Sequence, residues 1–164
     1  MDSGKFVIGT IITSILLLFG AVFWMSNQTG APQIEASDGA IAGAEIMTHD
    51  WGEIGINDGN VKADFEISNN GTNNLKLFNV ITSCTCTTAQ ISVNGKSSPL
   101  FGMHDKSSYV AEIPAGESAI LTVEYDPLFH GPNGVGPITR QVKIETNDAS
   151  NTELNYTLTA DVIK

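Results

Sequence analysis

Cysteine is nearly absent from this 164-residue chain: two are present, Cys84 and Cys86. A pair that close cannot form the disulfide framework of a small secreted domain, so an apolar core must supply the stability. Basic residues are also scarce, eight Lys and Arg against eighteen Asp and Glu, for a net charge of −10, and no two basic residues are adjacent. Affinity for nucleic acid comes from clustered Lys and Arg, so a nucleic-acid partner is excluded as an expectation. No EF-hand loop, Gly-x-Ser-x-Gly elbow or His-Glu-x-x-His motif occurs, and with no catalytic constellation the chain reads as a non-enzyme.

One long apolar run is present. Residues 6–25, FVIGTIITSILLLFGAVFWM, contain fifteen apolar residues in twenty and no charge. A helix of that length spans about 30 Å, the thickness of a bilayer's hydrocarbon core. The expectation is a transmembrane signal-anchor helix with Trp24 at the headgroup boundary. The rival is a cleaved signal peptide, whose apolar region usually covers about 7–15 residues; no small-x-small cleavage site clearly follows Met25. Lys5 precedes the run and the next basic residue is Lys62, so the positive-inside rule places residues 1–5 in the cytoplasm and the remainder outside it. Residues 26–44 are rich in Gly, Ala, Ser and Asn and read as a flexible linker averaging roughly 25 Å end to end.

From residue 45 to 164 the hydrophobic period is two. Val61, Ala63, Phe65 and Ile67 alternate with polar residues, as do Ala119, Leu121, Val123 and Tyr125. Leu154, Tyr156, Leu158, Ala160 and Val162 repeat the pattern, and so do Ile138, Val142 and Ile144, with Arg140 as a polar interruption. Such alternation marks half-buried strands. Further strands at Ile46–Trp51, Leu75–Thr82 and Thr87–Val93 bring the count to about seven, separated by turns such as Asn70-Gly71 and Asp126-Pro127. The fold class is all-β, an immunoglobulin-like sandwich of about seven strands. Leu75, Leu77 and Ile81 share a parity that Cys84 and Cys86 do not, which predicts a bulge or strand end near Thr82-Ser83.

The order of these segments resembles the bacterial domain of unknown function 1573 family, an extracytoplasmic immunoglobulin-like group. The resemblance is carried by His49-Asp50-Trp51-Gly52-Glu53-Ile54, Phe65 to Gly71, Leu75-Lys76-Leu77, Ser83-Cys84-Thr85-Cys86-Thr87, Pro114 to Glu117, Leu121 to Pro127 and Thr146-Asn147-Asp148. Trp51 stands where the family usually has Phe, and Thr85 replaces the usual Gly between the cysteines. Residues 94–109 look like an insertion. The resemblance implies a fold and a compartment, not a reaction.

Candidate chemistry centres on the cysteines. In an extended strand, residues i and i+2 share a face with Cα atoms roughly 6.6 Å apart. A bridge there is strained and easily reduced unless the backbone kinks. Two thiolates on one face also suit copper or zinc, with Met103, His104 and His130 as further ligands. A redox-active pair is a third reading, and the plainest is that both cysteines pack as small hydrophobes. Asp58, Asp126 and Asp148 sit in turns, where Asp bonds its own backbone. The leading functional expectation is a non-catalytic, membrane-anchored module that binds a protein of the cell envelope, with no resident cofactor. The alternative is a soft-metal or thiol-redox protein using Cys84, Cys86, Met103, His104 and His130.

Overall fold

The computed structural model describes residues 3–28, 32, 34–105 and 107–164, without the side chains of 3, 5, 6 and 24–28. Two compact units divide the chain, Met1–Ala31 and Pro32–Lys164. The first is a single helix, α1 (Ser3–Gln28), and it corrects the expectation of a single-pass anchor. Among the described residues, no helix is long and apolar enough to cross a membrane. The anchored location and the orientation inferred from it fall with the span. The roles given to Lys5 and Trp24 concern side chains outside the described residues.

The second unit is a two-sheet β-sandwich. One sheet has the order β1 (Ala42–Gly43), β3 (Val61–Asn69), β8 (Ser118–Tyr125), β5 (Thr87–Val93), β6 (Lys96–Ser97). The other runs β2 (Thr48–Gly55), β10 (Glu153–Ile163), β9 (Gly136–Thr146), β4 (Leu75–Thr82), β7 (Ala111–Ile113). Seven strands have seven or more residues, as the alternation predicts. The remaining three have only two or three residues, too short to leave a periodic signal. Neighbouring strands are antiparallel except β2 on β10, which is parallel.

Alternation becomes burial directly. Phe65, Ile67, Leu121, Val123, Ile144, Tyr156 and Leu158 face inward and form the main core, each sheet covering the apolar face of the other. Near one end of the strands a smaller cluster joins Ile56, Cys86, Tyr125 and Val162, with Trp51, Cys84 and Ile138 packed on it.

Strand β4 departs from the expected parity. Leu75 and Leu77 are buried, but Ile81 is 40 % exposed while Val80 and Thr82 are buried. The register against β9 shifts between Phe78 and Ile81, and Asn79 adopts φ 49°. The strand ends at Thr82, as one of the two alternatives expected at Thr82-Ser83, and a bulge lies earlier, between Phe78 and Ile81. It puts Val80 and Thr82 on the inward face, positions that alternation from Leu75 and Leu77 assigns outward.

Residues 37–43, at the end of the segment read as a linker, lie on the sandwich. Ser37 bridges to Asp148, Ala40 is buried, and the Ala42 N–H donates to the Asp148 carboxylate at 2.9 Å. Gly71 permits this approach: a Cβ there would collide with the Gly39 carbonyl.

Candidate functional site

Beyond Thr82 the chain leaves β4 and turns before entering β5. The Ser83 N–H donates to the Gln141 carbonyl at 2.9 Å, and the Gln141 N–H donates back to the Ser83 hydroxyl at 2.9 Å. The Thr82 hydroxyl lies 3.0 Å from both the Cys84 and the Thr87 carbonyl oxygens. This kink brings the Cα atoms of Cys84 and Cys86 to 5.2 Å, and the two are joined as a disulfide. That separation falls within the ordinary range for a bridge. Neither cysteine is a free small hydrophobe.

Three groups surround the bridge. His130 enters from the loop after β8, with Nε2 3.6 Å from Cys84 Sγ; its ring meets Phe129 edge-on at 5.2 Å. The Cys86 N–H points at Cys84 Sγ at 3.2 Å. Arg140 reaches in from β9, and its Nε donates to Cys86 Sγ at 3.1 Å. The guanidinium is also held by the Thr139 carbonyl at 2.8 Å and lies 5.3 Å from the centre of the Tyr125 ring. Tyr125 in turn stacks on Trp51 at 5.9 Å, so an aromatic platform supports the cation from below.

The ligand atoms of Cys84, Cys86 and His130 lie within 4.8 Å of one another. Among the described residues, His104 does not join that group. Met103 is exposed beside it on the loop near Gly102, and His49 packs edge-on against Trp51 and Phe65. Cys84, Cys86 and His130 are thus the expected site residues brought together. Arg140 is the group that sequence reasoning passed over. Its signal was the single charge on an otherwise apolar strand face.

A second feature lies on the flank of the sandwich. β1 pairs with β3 only at Ser68 and Asn69, so among the described residues no strand neighbours Val61–Ile67 on that side. The Trp51 indole N–H donates to the outward Lys62 carbonyl at 3.0 Å. Beside this open edge is a cleft lined by Gly43, Glu45, Ile46, Asp64, Glu66 and Ser68. Its rim is acidic, and Ile46 is 66 % exposed.

Two of the three turn aspartates, Asp126 and Asp148, bond nearby backbone. Asp126 accepts from the Leu128 N–H at 2.9 Å, and Asp148 accepts from the Ser150 N–H at 2.7 Å. Burial pushes the Asp148 carboxyl up, but hydrogen bonds from Ala42, Ser150 and Asn151 outweigh it and hold the group below the usual carboxylate range.

Comparison with known proteins bears on the fold. A protein of unknown function from Porphyromonas gingivalis W83 superposes with TM-score 0.59 at 22 % identity, over 79 % of this chain and 50 % of its own. The chain thus spans about half the length of that protein. The ASH/PapD-like domain 7 of human CEP192 gives TM-score 0.49 at 11 % identity, covering 81 % and 92 %. The YadV chaperone gives 0.46 at 11 %, covering 77 % and 53 %. No curated protein matches. The family model described as protein of unknown function (DUF1573) matches residues 43–97, a stretch that includes both cysteines and stops short of the Pro114–Pro127 segment. Over residues 43–97, therefore, the chain carries the pattern of the DUF1573 family that its sequence resembles.

Proposed function

We propose that the sandwich is a non-catalytic module that binds another protein, and that the open edge of β3 receives an extended segment of it. The observation that supports this is the unpaired stretch Val61–Ile67 beside an acidic cleft. An open edge offers backbone donors and acceptors to an added strand, which supplies affinity, while neighbouring pockets select side chains. Glu45, Asp64 and Glu66 at the rim favour a segment carrying Lys or Arg. The resemblance implies an extracytoplasmic compartment, and a protein of the cell envelope is the partner proposed. Crosslinked pull-down with the whole chain is the test. The wild type recovers a partner that Glu45→Lys/Glu66→Lys loses; equal recovery by both chains rejects the edge as the binding surface.

A second reading is favoured by the sulfur–imidazole cluster. Reduced, Cys84 and Cys86 together with His130 make a donor set suited to Cu(I) or Zn(II), with Met103 and His104 as further candidates. Arg140 beside Cys86 opposes a cation at that sulfur. Stoichiometric uptake of Cu(I) or Zn(II) by the reduced chain, abolished in Cys84→Ser/Cys86→Ser, supports this reading; no uptake ends it.

A further inference from the structure

Two observations set the Cys84–Cys86 bridge apart from a structural crosslink. It closes a loop of minimal length, where a disulfide restricts the unfolded chain least, and hydrogen bonds to Gln141 and from Thr82 already hold the turn. Its two sulfurs also sit in unlike surroundings. Cys86 is buried, 3 % exposed, whereas Cys84 is half-buried beside the exposed His130. Arg140 donates to Cys86 Sγ at 3.1 Å, with the Thr87 hydroxyl at 3.7 Å. Among the described residues Arg140 makes no ion pair, so no carboxylate offsets its charge near that sulfur. Arg140 is half-buried on its strand, and at this depth a guanidinium in contact with a sulfur stabilises a thiolate there more than it would in bulk water.

We propose that Cys84–Cys86 is a transferable disulfide that oxidises a dithiol protein or peptide, with Cys84 as the attacked sulfur and Cys86 as the leaving group. A thiolate of the dithiol attacks Cys84 Sγ. The S–S bond breaks, and its electron pair goes to Cys86 Sγ, where the thiolate is held by Arg140. Exchange is faster when the departing thiolate is stabilised. The dithiol's second thiolate then attacks the dithiol's own sulfur in the mixed disulfide, forming the new bond and expelling the Cys84 thiolate. Cys84 and Cys86 take up the two protons that the dithiol has lost, so one disulfide is made for the one consumed. His130, 3.6 Å from Cys84 Sγ, is placed to hand a proton to that thiolate.

The test uses the oxidised full chain with reduced glutathione, acid-quenched and alkylated for peptide mass mapping, and dithiothreitol for rates. The expected result is a glutathione adduct on Cys84, with reduction about tenfold slower in Arg140→Met and largely recovered in Arg140→Lys. An adduct on Cys86 overturns the proposal. So does an unchanged rate in an Arg140→Met chain with wild-type circular dichroism. Should Arg140→Met fail to fold, the adduct position in the wild type decides alone. A small thiol is the probe, so failure here leaves the protein-binding reading of the β3 edge untouched.

Discussion

Tyr156 is fully buried in β10, its ring 4.8 Å from Phe65, and its hydroxyl finds no hydrogen-bond partner among the described residues. Burial alone pushes the phenol well above its ordinary range. Removing an unsatisfied buried group relieves a desolvation cost, so Tyr156→Phe should raise unfolding stability by about 1 kcal/mol, read as a higher urea midpoint. A lower midpoint would show that the hydroxyl is bonded. Asp148 is the opposite case, a buried carboxylate that accepts from Ala42, Ser150 and Asn151. Its folded-state value is depressed, so its stabilisation is present above the unfolded pKa of about 3.9. That stabilisation is lost as pH falls through the lower folded value. Asp148→Asn should cost about 1–3 kcal/mol at pH 7, with the gap to wild type closing below about pH 4. A gap that is constant with pH contradicts the assignment.

At the scale of elements, the β4 bulge decides which of residues 78–82 face the core, and the turn after Thr82 presents the cysteines. Asn79 holds φ 49°, a conformation that β-branched residues resist. Asn79→Val should therefore cost about 1–2 kcal/mol, whereas Asn79→Gly should cost less, both read by denaturant titration. Equal costs would mean that backbone strain is not the cause. The bulge also marks the limit of what sequence shows. The strands Leu75–Thr82 and Thr87–Val93 are found with their expected bounds, the second because it alternates in burial along most of its length. The bulge position was hidden because Ile81, an apolar residue, stands exposed and imitates the parity of Leu75 and Leu77. Phe101, within the segment read as an insertion, is buried and bridged to Ala89; no period flanks it to announce a core residue. Cys84 and His130 were legible as candidates, but their approach to 3.6 Å depends on two loops meeting. Arg140 was visible only as an interruption.

For the molecule as a whole, a net charge of −10 and an acidic cleft at an unpaired strand edge favour association with a basic segment, and such association weakens as salt screens it. The most direct measurement is photo-crosslinking of the whole chain, with a photoreactive residue placed at Glu66 on the open edge or at Lys143 in β9, which is paired on both sides. The account predicts a protein adduct from position 66 that declines with added salt, and none from position 143. Adducts from 143 alone, or equal yields from both positions, would contradict it.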